Sequence, residues 1–319
     1  MTIHITPAEL SELLQLARSL DMHPSNAFCN TAQELSHSLP YQIKNKLGDF
    51  LRDGSPTGFL LFKDIHTGDV PITPPNNKYS VGETTGLARI QAILISAIGY
   101  MVAYEAEGYG RLFQDVVPDK KMANRQTSIG SNAELEIHTE QAFSKLRPDF
   151  LSLACIRGDP AAMTYILPVQ TILDHLTADE IATLKKPLWY TGVDLSFKLN
   201  GNEFLEGDVR GPMPILSMDK NRRTCLTFDQ DLMRGINDTA DEMIRKIVDI
   251  YYKYRIAHNL RPGEIIIIDN RYAVHGRSPF FPHYDGADRF LVRCFATIDY
   301  EGSQYARMGG GRTIAAIYS

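Results

Sequence analysis

A chain of 319 residues is long enough for one large domain with a well-filled core. Hydrophobic residues make up 44% and charged residues 22%, an ordinary globular balance, and a formal net charge of −5 gives no bulk attraction to nucleic acid or to an anionic membrane. A small-molecule partner is expected instead.

The opening MTIHITPAELSELL lacks the basic segment and apolar stretch of a secretion signal, so a cytoplasmic protein is expected. It reads as a helix start: Thr6 is the cap, Pro7 opens the first turn and Glu9 closes a capping box. LLFKDI near residue 60 reads as a strand. The Pro-, Gly- and Asn-rich segment from Gly68 to Gly86 is either a lid over a binding site or a passive surface connection. A long helix is expected from about Thr85 to Glu107. Arg89, Gln91 and Ser96 interrupt its apolar run, which suits packing on a sheet and not a membrane span.

From Glu134 onward the chain is mostly strand-like. FLSLACI, PLWYTGVDLSFKL, EFLEG, TCLTF, EIIIID and RFLVRCFATI are β-rich runs, and Asn200-Gly201 is a hairpin signal. One helix, about Ala240 to His258, repeats apolar residues with a 3.6 period (Met243, Ile244, Ile247, Ile250, Tyr251). The four cysteines are far apart. Cys155, Cys225 and Cys294 sit in apolar runs, so buried reduced thiols are expected, not disulfides or a thiolate metal site. The fold class is mainly β with flanking helices (α+β), an antiparallel sandwich or barrel with helices outside. One domain over 1–319 is expected. Helices and strands over about 1–127 flank a core over about 128–319, which carries the inserted helix 240–258.

ELEIHTEQAF carries the chemistry. Strand alternation would put Glu136, His138 and Glu140 on one face, opposite Leu135, Ile137 and Thr139. A histidine and a carboxylate two residues apart can reach one cation, and a distant histidine completes a facial triad for Fe(II). Nine histidines and 38 acidic residues make roughly one H-x-[DE] triplet expected from composition alone. There are two, and the other, His283-Tyr284-Asp285, lies in a turn-rich stretch with no histidine after it. His175, His258 and His275 follow the first. His275 is the candidate partner, because it comes just after the apolar strand Ile265–Ile268 and the polar bend Asp269-Asn270. A hydrogen-bonded rim histidine would look the same. In DRFLVRCFATI, Arg289, Leu291 and Arg293 share a face opposite Phe290 and Val292. Two arginines on such a strand suit bidentate carboxylate binding, unless solvated surface acids pair with them.

The runs YEAEGYGRLFQDVVP, TSIGSNAELEIHTEQAFSKLRPDFLSLACIRGDP, FDQDLMRGI, PGEIIIIDNRYAVHGRSPF and YDGADRFLVRCF resemble, in order, the clavaminate synthase-like Fe(II)/2-oxoglutarate-dependent oxygenases. Within that group the chain is most similar to the hydroxylases of free L-lysine. The resemblance implies a double-stranded β-helix (jelly-roll) core, with Fe(II) held by His138, Glu140 and His275. It implies O2 as co-substrate, and 2-oxoglutarate bound through Arg289 and Thr164. Arg293 and Ser128 match positions for the amino-acid carboxylate and its polar neighbours, and Glu107 matches one for the α-amino end. Asp229 and Asp231 match acids that hold the cationic end of the substrate; here D-x-D on one strand face, or a cap before Leu232, are both open readings. Halogenases of this superfamily lack the carboxylate that Glu140 supplies, so halogenation is not expected. The implied reaction is hydroxylation of free L-lysine, C4 favoured over C3. Ornithine or arginine as substrate, a zinc metallohydrolase and a non-catalytic binding module are the rivals.

Overall fold

The computed structural model describes residues 1–21, 23–194 and 208–318. The expected EFLEG strand, the Asn200-Gly201 hairpin and the end of PLWYTGVDLSFKL lie outside the described residues. In chain order the elements are β1 (Thr2–His4), α1 (Pro7–Arg18), α2 (Asn26–Ser36), α3 (Tyr41–Asp53), β2 (Phe59–Lys63), α4 (Gly86–Ser96), β3 (Tyr100–Tyr104), β4 (Gln114–Val116), β5 (Leu135–His138), β6 (Phe150–Arg157) and β7 (Met163–Pro168). There follow α5 (Val169–Asp174), α6 (Ala178–Leu184), β8 (Trp189–Gly192), β9 (Val209–Met213), β10 (Leu216–Met218), β11 (Thr224–Leu226), β12 (Met233–Gly235), α7 (Asp238–Tyr254), β13 (Ile256–Asn259), β14 (Ile265–Asp269), β15 (Ala273–Arg277), β16 (Phe290–Thr297) and β17 (Thr313–Ile314).

Eight strands form a major sheet in the order β1-β2-β14-β6-β16-β3-β17, with β4 also on β16. Four form a minor sheet, β13-β7-β15-β5. This is the strand-rich core with flanking helices expected of a double-stranded β-helix. Three apolar clusters explain the layering. Alternate residues of the central strands point to opposite faces. Ile265, Ile267, Val292 and Cys294 therefore join the helices α1 to α4 in one cluster. Ile266, Ile268, Leu291 and Phe295 meet Ile166 and Ala273 of the minor sheet in a second. The outer face of the minor sheet (Ile137, Leu167, Val274) packs on α7 in the third. Ile265 to Ile268 run apolar without alternation because β14 is buried on both faces.

Local signals act as anticipated at α1, where Thr6 accepts from Glu9 N and the capping box closes. Two helices are shorter than expected. The Thr85–Glu107 helix is α4 alone; the chain turns at Gly99, where an added Cβ would sit 3.0 Å from Thr297 O, and YMVAY becomes β3 on the end of β16. A continuous apolar run hid that change of period. The 240–258 helix starts at Asp238, capped by Asn237, and stops at Tyr254, because Arg255 turns extended and Ile256–Asn259 pairs with β7. Gln91, a polar interruption in α4, is buried and donates to Ser152 Oγ and Val292 O at 3.0 Å each, tying helix to sheet. Cys29, Cys155 and Cys294 are buried and unpaired, and Cys225 is a half-buried free thiol. Among the described residues no helix is long and apolar enough to cross a membrane.

Candidate metal centre and substrate cavity

The register of β5 against β15 sets His138 directly opposite His275, their rings 4.5 Å apart between centroids. Glu140 does not reach them by strand alternation. β5 ends at His138, and the chain turns through Gln141, whose φ of +53° is left-handed. The turn brings the Glu140 carboxylate within 3.5 Å of His275 Nε2. One ligand atom from each of the three side chains lies within 4.8 Å of the others, the one such group of His, Cys, Asp and Glu among the described residues. The competing histidines are engaged elsewhere: the His175 ring centroid lies 3.9 Å from that of Tyr254, tilted by 34°, and His258 lies 2.7 Å from a Glu264 oxygen. His283 belongs to a turn whose backbone donates to Asp288.

The donor set fits a divalent iron. His138 Nδ1 sits 2.8 Å from the Glu136 carbonyl, so that nitrogen donates and Nε2 carries the lone pair. His275 Nδ1 is buried with no partner. Burial, then the neighbouring His138, lowers the His275 pKa and keeps the ring neutral. Burial alone would raise Glu140, but the Arg293 guanidinium and His275 outweigh it and hold the carboxyl at about 2. Two imidazoles and an ionised carboxylate converging on one point are the facial set that leaves positions open on non-haem iron.

Arg289, Leu291 and Arg293 line the inner cavity with Thr164, Ser128 and the three candidate ligands, so the three face the same space as expected, although Arg289 stands just before β16. The two arginines differ. Arg289 is 6% exposed and forms no hydrogen bond or ion pair with any described residue; its guanidinium lies 5.6 Å from the Phe280 ring centroid. Burial pulls its pKa down to about 10, with only a smaller opposing pull from Cys155 and Asp159. Arg293 is surrounded. Its guanidinium donates to Gln114 through Nε (3.0 Å) and Nη2, to Glu140 through Nη1 (3.2 Å), and to Glu107 through Nη2. Four of the five N–H groups are thus committed. An open bidentate fork was expected here, and the structure instead leaves one N–H for a ligand. Burial pushes Glu107 up to about 7, with Arg293 opposing and Glu140 adding to the rise. Gln141 also donates to Glu107, at 2.8 Å.

On the other side of His138 lies a cavity of about 350 Å³, walled by Glu136, Asp194, Asp229 and Asp231 with Arg125, Gln126 and Leu135. Asp229 and Asp231 are not on a strand face. Asp229 forms a single bridge to His138 and caps the turn by accepting from Leu232 N at 2.8 Å, so the cap reading and the cavity reading both describe it. Burial pushes Asp229 up to about 7, and burial also raises Asp231 and Glu136. The segment 68–86 is tied down: Arg157 donates to Thr73 Oγ1 (2.7 Å), Arg111 to Lys78 O (2.8 Å), and Asp115 accepts from Val81 N and Gly82 N. Asn77 and Lys78 border a further cavity that reaches Glu107, Ser128 and Arg293.

The sequence reading missed Gln114, Gln141, Asn270 and Arg277. Arg277 follows His275 by two residues, is buried, and spends its donors on the carbonyls of Ser128, Gly130 and Ala133, which shapes the wall behind Thr164. Its place in HGR was the available signal.

The sequence pattern of the taurine catabolism dioxygenase TauD, TfdA family matches residues 29–295. The L-lysine 3-hydroxylase of Catenulispora acidiphila is 46% identical over 319 residues, 99% of this chain and 89% of that protein. The L-lysine 4-hydroxylase of Niastella koreensis is 27% identical over 270 residues, 80% and 71% of the two chains. A crystal structure of asparagine oxygenase with Fe(II), 2S,3S-3-hydroxyasparagine and succinate superposes with a TM-score of 0.90 at 28% identity, covering 98% of this chain and 99% of that one.

Proposed function

Because the chain belongs to the taurine catabolism dioxygenase TauD, TfdA family, we propose that it hydroxylates free L-lysine, and does so at C3. It is an iron- and 2-oxoglutarate-dependent oxygenase acting on an amino acid, with dioxygen as co-substrate. When bound, iron and 2-oxoglutarate supply the oxidising chemistry: one oxygen atom of O2 leaves in succinate as carbon dioxide is lost, and the other enters a substrate C–H bond.

The observation that carries the lysine reading is the polarity of the two cavities that share His138. Three arginines and one carboxylate, Glu140, line the inner one, whereas four carboxylates and one arginine, Arg125, line the other. His138, Glu140 and His275 would hold the metal. Arg289 and the Thr164 hydroxyl would receive the distal carboxylate of 2-oxoglutarate. The substrate carboxylate would use the remaining N–H of Arg293 with help from Ser128, and Glu107 would turn to the α-ammonium. Asp229 and Asp231 would take the side-chain ammonium, a three-donor group that two carboxylates satisfy well. Pinned at both ends, the chain of methylenes presents one carbon to the metal, and no general base is required. The segment 68–86 would close over the amino-acid end.

The lean toward C4 is replaced by C3, since the relative 46% identical is a 3-hydroxylase whereas the 4-hydroxylase cited matches at 27%. Incubation with lysine, 2-oxoglutarate and Fe(II), followed by NMR of the product, tests the whole reading. We expect one succinate per hydroxylysine and a carbinol proton at C3. A C4 product would overturn the regiochemistry. Succinate release stimulated by ornithine or arginine but not by lysine would overturn the substrate.

A further inference from the structure

The triad has an uneven scaffold. His138 and His275 are fixed by the minor-sheet ladder, as cross-strand neighbours. Thr139 is fixed too, its N–H donating to Phe228 O at 2.8 Å. Glu140 lies past the end of β5, next to a residue in the left-handed region, with no strand partner. A carboxylate carried on such a loop would sample several positions unless something outside the loop held its backbone.

Asn270 does so. It sits in the turn between β14 and β15, 1% exposed, 130 residues away in sequence. Its Oδ1 accepts from Glu140 N at 2.6 Å, and its Nδ2 donates to Glu140 O at 3.1 Å and to Pro148 O at 2.8 Å. Both donor hydrogens and the acceptor are used, and the pair of bonds to Glu140 reproduces with a side chain what a β-bridge does with a backbone. Asn270 is itself anchored, its N–H donating to Asp149 O at 2.9 Å. The same turn leads into the strand that carries His275. One side chain thus joins the segment bearing Glu140 to the segment bearing His275.

We propose that Asn270 is a positioning residue for the metal centre: it sets the backbone of Glu140 and so the place of the third ligand. This rests on the reading of His138, Glu140 and His275 as the metal site. Groups that orient metal ligands from behind weaken metal affinity by about 10–100-fold when removed. The test is the Fe(II) dissociation constant, measured without oxygen on the full chain, for wild type, Asn270→Ala, Asn270→Asp and, as a control for ligand loss, His138→Ala. Unfolding midpoints of the metal-free proteins are measured in parallel. Asn270→Asp keeps the volume and the acceptor but loses the donors to Glu140 O and Pro148 O, and it carries the comparison should the alanine variant not fold.

The expected result is affinity weakened by about 10–100-fold in Asn270 variants that are still folded at the temperature of the measurement. Folded variants that bind Fe(II) as wild type does would reduce Asn270 to a structural role and overturn the proposal. Wild-type protein that binds no Fe(II) would instead overturn the metal-centre reading, and this inference with it.

Discussion

A guanidinium buried without an anion is costly, and Arg289, just before β16, is in that position while Arg293, four residues on and within β16, is not. The two arginines therefore make different predictions. Arg289→Gln should raise the KM for 2-oxoglutarate by about 30-fold or more, since losing one partner of a buried charge pair costs about 2 kcal/mol at the low end. The KM for lysine should stay within a few-fold, as steady-state kinetics with each substrate varied would show; equal rises in both would detach Arg289 from the cosubstrate. Asp231→Ala addresses the opposite wall. It should raise lysine KM by about tenfold or more, the loss of one charge-assisted hydrogen bond, while lysine-independent turnover of 2-oxoglutarate persists. Unchanged kinetics would remove Asp231 from the substrate site. At this scale the sequence was readable where a residue's chemistry is unusual for its place, as with two arginines at the start and in the middle of a core run. It was not readable for Asn270 or Gln114, because a polar residue in a bend or a short strand has many ordinary uses until its partners are known.

Among the elements, the crossing from the minor to the major sheet between β13 and β14 bears on the site, since β14 leads to Asn270 and His275. His258 on β13 meets Glu264, just before β14, at 2.7 Å, and Lys63 Nζ lies 3.3 Å from the other Glu264 oxygen. Burial would raise the Glu264 carboxyl, but hydrogen bonds from His258 and Arg261 N outweigh it and hold it below its usual value of 4.5. A carboxyl lowered in the folded state stabilises above its unfolded pKa, and that contribution is lost as pH falls through the folded value. Glu264→Gln should therefore lower the thermal midpoint at pH 7 by an amount corresponding to about 1.5–3 kcal/mol, and by much less near pH 3. An equal loss at both pH values would show that the ion pair contributes nothing beyond packing. Periodicity gave the type of the two long helices and of most strands, but not their ends, and at YMVAY and Ile256–Asn259 it gave helix where the chain is strand. The end of α4 and the end of α7 were overrun because both lead almost directly into strands, and only Gly99 and Arg255, read with their sheet partners, mark the change.

Over the whole molecule, the candidate metal centre draws its three side chains from segments far apart in the chain, so its occupancy reports on the folded state. Fe(II) with 2-oxoglutarate should raise the unfolding midpoint, by about 2.7 kcal/mol of stabilisation at a hundredfold excess over Kd, and a chelator should reverse it. Midpoints that ignore both would remove the metal from the reading. What the sequence determined by itself was local: the two-residue alternation that makes strands, the caps of α1, the pairing of His138 with a carboxylate two residues on, and the four-residue spacing that puts Arg289 and Arg293 on one face. These follow from bond geometry and side-chain chemistry within a few residues. The tertiary structure alone decided the rest. It chose His275 among the histidines by cross-strand register, carried Glu140 past its strand and tied it to Asn270, and filled Arg293 with Gln114, Glu107 and Glu140 while leaving Arg289 open. Each is a contact between segments whose separation along the chain says nothing of their separation in space, and only the stacking of the two sheets brings them together.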